Sequence, residues 1–212
     1  KKVEVNKNKN FDAYSHIISG IIFLSILIQG SYFAIEYIAE ALALTISLIM
    51  LKYKNIITHK IYYNNIIIMA SFMVLAYIIS ICIVSSNKYN SILETIKIIN
   101  FFIIIFIITN VSNINIYLIF KRIFQSCVFV AIIGLLAYLD CLQFPNFILK
   151  TSNYVRLQSV FQYANVTAIF MIIGFFLSLY YFHTNIKFSI KLKYIIYTTI
   201  FNICLILTFS RS

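Results

Sequence analysis

The sequence IIIMASFMVLAYIISICIV occupies residues 66–84 and contains no charged side chain. Because an α-helix rises 1.5 Å per residue, a helix of this length extends about 28 Å, close to the thickness of a bilayer's hydrocarbon core. Such a stretch is typical of a transmembrane helix. Similar apolar runs recur along the chain, so this stretch predicts the fold class of the whole protein.

The overall composition agrees with a membrane protein. Hydrophobic residues make up 62% of the 212 residues and charged residues 11%, whereas soluble domains average about 25% charged residues. The net charge of +11 would suggest nucleic-acid binding in a soluble protein. Here the basic residues lie in short loops between apolar runs, which is the pattern of the positive-inside rule. We therefore expect a lipid bilayer as partner and no nucleic acid.

The apolar runs predict an all-α, polytopic transmembrane bundle of about seven spans. A basic cytoplasmic tail (1–15) precedes a transmembrane domain (16–212). No small-residue cleavage site follows the first apolar run, so we expect that run to be retained as a span. Charged residues among apolar ones just before the fourth run suggest a short interfacial helix at about 85–97. The predicted spans are residues 17–34, 35–51, 66–84, 96–111, 123–139, 164–182 and 194–209.

The distribution of basic residues predicts the orientation. With the N-terminus on the cytoplasmic side, only five of the 17 Lys and Arg residues fall outside, which the positive-inside rule favours. The protein is then a multi-pass membrane protein, and the loop 140–163 lies on the outer face of its membrane. The five outer basic residues are Lys88, Lys97, Lys150, Arg156 and Arg211.

The predicted outer loop is long, since loops beyond about 12–15 residues are uncommon in compact structures. It contains Pro145 and several aromatic residues, so it is too apolar for a disordered linker. We expect it to lie on the membrane surface or to fold back into the bundle. It ends in RLQSVFQYANVTAIFM, residues 156–171, which leads directly into the sixth span.

Arg156 has two interpretations at this position. An arginine at the entrance of a span can anchor the helix end at the headgroups. It can also bind an anion, because its planar guanidinium suits phosphate and the next helix offers free N–H groups. Arg211, at the end of the seventh span, could converge with it on one pyrophosphate. Asn165 can cap the sixth helix or donate a hydrogen bond to a sugar hydroxyl.

Other polar residues give weaker signals. Glu36 and Glu40 lie one helical turn apart near the start of the second span. They either stabilise that helix N-terminus or pair with a buried arginine, and the outer acidic residues could balance the arginines when no ligand is bound. The four cysteines have no metal-like spacing, and the three histidines fall near the predicted inner ends of spans. We predict no catalytic residue, metal site or cofactor.

The sequence RLQSVFQYAN before an apolar helix, followed by LILTFSRS at residues 205–212, resembles the O-antigen ligase and polymerase family of bacterial membrane proteins. This resemblance implies a GT-C-like helical bundle. It implies transfer of a glycan from a polyprenyl pyrophosphate, usually undecaprenyl, to an acceptor on the outer face of the bacterial cytoplasmic membrane, without metal or nucleotide sugar. It also implies that Arg156 and Arg211 hold the pyrophosphate. The matching positions are Arg156, Ser159, Phe161, Asn165, Ser210 and Arg211.

Two departures from the family pattern affect this interpretation. Ala164 stands where the family commonly has proline. Family members also continue past the Ser-Arg motif into a large outer loop with a histidine proposed as base. The resemblance therefore implies an N-terminal portion, and we expect these 212 residues alone not to transfer glycan. The alternatives are a transporter or flippase fragment, which charges confined to the span ends disfavour, and a non-enzymatic accessory protein.

Overall fold

The computed structural model describes residues 2–28, 33–53, 64–110, 115–142, 144, 146–150 and 155–208, with side chains from residue 14 onward. Seven α-helices lie within these residues, together with two short strands and one 3₁₀ turn. The helices are α1 (Lys2–Leu27), α2 (Ala34–Tyr53), α3 (Asn65–Ile83), α4 (Lys88–Asn110), α5 (Ile116–Tyr138), α6 (Ala164–Thr184) and α7 (Phe188–Leu207).

The predicted all-α, polytopic helical bundle is confirmed. In the described part of the chain, α2 to α7 are each long and apolar enough to cross a membrane, and the chain is a multi-pass membrane protein. The helix α1 differs, because its apolar part, Tyr14–Leu27, is shorter. The predicted first span, 17–34, extends beyond this helix into residues 29–32, which lie outside the described residues.

The helix α4 corrects the prediction for residues 85–111. A separate interfacial helix followed by a short span was expected, but one continuous helix runs from Lys88 to Asn110. The Lys97 Nζ lies 2.7 Å from Glu94 Oε1 and 5.0 Å from the centre of the Tyr37 ring. Because both contacts stabilise the ammonium group, the helix can continue through the charged residue without a break.

The chain divides into two compact units. The first comprises Lys1–Ile21 and Ser31–Leu118, and it contains α2, α3 and α4. At the start of α2, the backbone N–H of Phe33 donates to Glu36 Oε2 at 3.0 Å. Glu36 therefore caps this helix, which is one of the two roles that the sequence suggested for it. Between helices, Asn100 Nδ2 donates to the Tyr37 carbonyl oxygen at 2.9 Å.

The second unit comprises Ile22–Gly30 and Ile119–Ser212, and its core is built where α5, α6 and α7 meet. A Cβ added to Gly174 would lie 2.7 Å from ring atoms of Phe201 and 3.0 Å from the Cβ of Cys127. Only glycine allows so close an approach. Cys127 and Cys204 are buried free thiols in this core and fill space as small apolar side chains.

The predicted outer loop contains structure that the sequence analysis did not predict. The strands β1 (Ile148–Lys150) and β2 (Val155–Leu157) form an antiparallel pair, and a 3₁₀ turn follows at Ser159–Phe161. Leu157, Val160 and Phe161 are buried in the core of the second unit. The segment therefore folds back onto the bundle, which was one of the two expected arrangements.

Candidate functional site

Arg156 is the middle residue of β2, opposite Leu149 of β1. Since successive side chains of a strand point to opposite faces, Arg156 and Leu157 face in opposite directions. Leu157 is fully buried and Arg156 is half-buried. The buried leucine thus attaches the strand to the bundle, and the same attachment determines where the arginine lies.

The backbone after β2 is held in an unusual conformation. The Phe147 carbonyl oxygen accepts hydrogen bonds from the N–H groups of both Gln158 and Ser159, each at 2.9 Å. Ser159 has a φ of 51°, a left-handed conformation that costs a non-glycine residue about 1–2 kcal/mol. Its hydroxyl donates to the Val130 carbonyl oxygen of α5 at 2.8 Å, which offsets part of that cost.

Gly134 of α5 permits this docking. A Cβ at Gly134 would lie 2.9 Å from Ser159 Oγ, 3.0 Å from Ser159 Cβ and 3.3 Å from Leu157 Cδ1. These distances are too short for the present packing, so any larger side chain would push the turn away from α5. The absence of a side chain at Gly134 therefore lets the strand carrying Arg156 lie against the helix.

A second contact ties the turn to the start of α6. The Thr167 hydroxyl lies within hydrogen-bonding distance of the carbonyl oxygens of Gln158 and Tyr163. The N-cap of α6 is Tyr163, whose side chain makes no capping hydrogen bond. Asn165 is the second helical residue and is exposed. The predicted capping position of Asn165 is therefore wrong, because the helix begins at Ala164, two residues earlier than a cap at Asn165 requires. Its contact with a sugar stays a prediction.

Arg156 connects the hairpin to the C-terminal end of α7. Its Nε–H donates to the Thr208 carbonyl oxygen at 3.0 Å. Thr208 is fully buried and is the C-cap of α7, where its own N–H bonds to the Cys204 carbonyl oxygen. A cation is favourable at this end of a helix because the last carbonyl groups carry partial negative charge. The guanidinium is thereby fixed at the end of α7.

The second predicted arginine, Arg211, lies outside the described residues, as does Ser210 of the same motif. Of the four outer acidic residues that were expected to balance the arginines (Glu36, Glu40, Glu94 and Asp140), three have other partners. Asp140 lies 3.3 Å from Lys150, Glu94 pairs with Lys97, and Glu36 caps α2. No contact between one of these three carboxylates and an arginine occurs in the part of the chain that the structure describes.

The other residues of the motif have different positions. Ser159 is fully buried, and the Phe161 ring lies 4.4 Å from that of Phe170, measured between ring centres. Both therefore fix the backbone after β2. The other two described polar residues of the motif are more accessible: Arg156 is half-buried and Asn165 is exposed. The arrangement can fix one guanidinium at the end of a helix bundle.

Among the described residues, no three His, Cys, Asp or Glu side chains come together in a group that could hold a metal ion. His16 and His183 are exposed, and His59 lies outside the described residues. The cysteines Cys82 and Cys141 are exposed free thiols.

Comparisons of the chain with protein-family profiles, curated proteins and solved structures give no match. The resemblance found in the sequence thus depends on the motif residues themselves. What these residues contact is the evidence from which a function can be argued.

Sequence reasoning identified Arg156 but missed its surroundings. The hairpin had a usable signal, because two short segments with two apolar residues each, Ile148–Lys150 and Val155–Leu157, flank Thr, Ser and Asn, which favour turns. Thr208 and Gly134 had none. Their contacts with Arg156 and Ser159 join residues far apart in the chain, and no local pattern reports such a pairing.

Proposed function

We propose that this chain is an O-antigen ligase-like or polymerase-like membrane protein, in which Arg156 binds the pyrophosphate of a polyprenyl-linked glycan. In the proteins that it resembles, the glycan is transferred to an acceptor at the outer face of the cytoplasmic membrane. The observation that carries the proposal is the fixed, half-buried guanidinium of Arg156 at the C-terminal end of α7. Its role is to stabilise the negative charge of the pyrophosphate as it departs.

The chemistry of arginine supports this role. A guanidinium presents five N–H donors in a planar fork, and the Thr208 carbonyl oxygen accepts from Nε. An arginine held this way loses little conformational freedom on binding an anion, which favours affinity. A rigid strand and a glycine contact, rather than a loose loop, set the position of the group.

The sequence also supports a second arginine near the first. Arg211 follows Thr208 by three residues, and three peptide units extend at most about 11 Å between Cα atoms. Since Arg156 contacts Thr208 directly, the chain length keeps Arg211 within reach of the same pyrophosphate. The placement of this site on the outer face follows from the predicted topology.

A binding measurement tests the proposal. The chain and its Arg156→Ala and Arg156→Lys variants are placed in phosphatidylcholine nanodiscs and titrated with undecaprenyl pyrophosphate. We expect Arg156→Ala to weaken binding about 10-fold or more, since hydrogen bonds to charged groups contribute about 1.5–3 kcal/mol. Arg156→Lys keeps the charge but loses the fork, so we expect an intermediate affinity.

Arg122 provides a matched control. It is the other arginine of the described residues, and its Nη1–H donates to Gln125 Oε1 at 3.0 Å within α5. Arg122→Ala removes the same charge, and we expect unchanged affinity. If Arg156→Ala folds normally and binds the pyrophosphate as tightly as the unmodified chain, Arg156 serves only as the cap of α7. The proposed role in substrate binding then fails.

A further inference from the structure

The first unit has an open cleft between the beginnings of α2 and α4, separate from the Arg156 site. Its volume is about 350 Å³, within the range of about 300–1,000 Å³ that is usual for small-molecule sites. The apolar part of its lining includes Phe33, Tyr37 and Leu93. The polar part consists of Asn90, Glu94 and Lys97.

The charges of the cleft balance each other. The Lys97 ammonium group lies 2.7 Å from Glu94 Oε1 and 5.0 Å from the centre of the Tyr37 ring. A phosphate entering the cleft would meet a lysine that is already paired and a carboxylate that repels it. A neutral ligand meets no such repulsion, and the ion pair offers it both donors and an acceptor.

The apolar lining provides a flat surface beside these polar groups. Half of the Phe33 side chain is exposed, whereas Tyr37 is only 3% exposed and lies beneath Lys97. A sugar ring has an apolar face of C–H groups and a rim of hydroxyls that both donate and accept. This combination matches an aromatic surface bordered by an amide, a carboxylate and an ammonium group.

A buried amide of α4 contacts the backbone of Tyr37, one of the residues that line the cleft. Asn100 follows Lys97 by one turn of α4, is 4% exposed, and donates through Nδ2 to the Tyr37 carbonyl oxygen. Its Oδ1 is buried and accepts no hydrogen bond from the described residues. The hydrogen bond joins α4 to the backbone of Tyr37, so it helps to hold this lining residue of the cleft in place.

We propose that this cleft binds a neutral sugar ring. Phe33 packs against the ring face, Glu94 accepts a hydrogen bond from a hydroxyl, and Asn90 and Lys97 donate hydrogen bonds to ring or hydroxyl oxygens. The site uses no residue of the second unit. Sugar binding here and pyrophosphate binding by Arg156 can therefore succeed or fail separately, and the Arg156→Ala variant should retain the sugar site.

The absence of tryptophan from the chain allows a direct test. Phe33→Trp introduces a single fluorescent reporter at the cleft, and Phe72→Trp introduces one on α3, where Phe72 is exposed. Both proteins are titrated in nanodiscs with the methyl glycosides of glucose, galactose and N-acetylglucosamine, and with inorganic phosphate. We expect a saturable change with at least one glycoside at Phe33→Trp and none at Phe72→Trp.

Side-chain variants in the Phe33→Trp background sharpen the result. We expect Glu94→Gln and Asn90→Ala each to weaken glycoside binding about fivefold or more. The control is Asp140→Asn, which also removes an exposed carboxylate paired with a lysine, and it should change nothing. The proposal is overturned if no glycoside gives a saturable signal, if phosphate binds more tightly than every glycoside, or if both reporters respond equally.

Discussion

The helix pairs α6–α7 and α2–α4 are joined by different kinds of contact. Between α6 and α7, the Phe201 ring fits against Gly174, and the hydroxyls of Ser178 and Thr198 lie 2.7 Å apart. Between α2 and α4, Asn100 donates to the Tyr37 carbonyl oxygen and Lys97 covers the Tyr37 ring. The first pair thus contains a close glycine contact, whereas the second is joined by an amide hydrogen bond and a cation over an aromatic ring.

The difference follows from what each unit carries. Helices in lipid gain no hydrophobic driving force from association, so close contact of small residues and polar interactions must hold them together. An isolated two-stranded hairpin is only marginally stable, so the hairpin with Arg156 needs a tightly packed bundle beneath it. The α2–α4 pair instead leaves a cleft open, and a few polar contacts suffice to hold it.

The largest expected effect comes from filling the glycine contact of α6. Gly174→Ala places a Cβ 2.7 Å from ring atoms of Phe201, and that ring is 1% exposed, so it cannot move aside. We expect a loss of about 2–3 kcal/mol in the free energy of unfolding, at the upper end for overpacked cores. The measurement is unfolding by SDS, followed by circular dichroism.

Gly20→Ala is the control for that change. Nothing lies within 4 Å of a Cβ at Gly20, so this variant reports only the helix preference of alanine, a gain of up to about 1 kcal/mol. Should Gly174→Ala be as stable as Gly20→Ala, close packing does not distinguish α6–α7 from α2–α4.

These contacts also show how far sequence reasoning reaches. The apolar runs predicted α3 within one residue at each end, because lipid selects an uninterrupted hydrophobic stretch. Lys97 misled the prediction for α4, since its contact with the Tyr37 ring of α2 becomes visible only after folding. Within the site, the charge of Arg156 was conspicuous, but its bond to Thr208 depends on the docking of the hairpin.

We expect a loss of stability of intermediate size when the glycine contact that positions the hairpin is filled. We expect Gly134→Ala to lower the free energy of unfolding by about 1–2 kcal/mol, because its Cβ would lie 2.9 Å from Ser159 Oγ and 3.0 Å from Ser159 Cβ. Adding Ser159→Gly removes both of those atoms and also relieves the left-handed backbone at that position. The double variant should therefore be more stable than Gly134→Ala alone.

Unfolding of Gly134→Ala, Ser159→Gly and the double variant in SDS shows whether the two residues affect stability independently or through one shared contact. If the losses of the two single variants simply add, the contact between Gly134 and Ser159 does not determine stability. A recovery of stability in the double variant shows that the two residues act on the same contact. The undecaprenyl pyrophosphate titration can then be repeated on Gly134→Ala, where a displaced hairpin should also reduce the contribution of Arg156.

The smallest effect is expected in the first unit, at Asn100. Asn100→Ala removes the hydrogen bond to the Tyr37 carbonyl oxygen of α2, and such interhelical bonds contribute about 0.6 kcal/mol on average and at most about 1.7. Asn185 is the matched control, since its Nδ2 donates at 2.6 Å to the Tyr181 carbonyl oxygen at the end of its own helix, α6. We expect Asn100→Ala to lower the free energy of unfolding measured in SDS more than Asn185→Ala does. Equal losses would mean that the polar contact does not join α2 to α4, and packing would then have to account for both units.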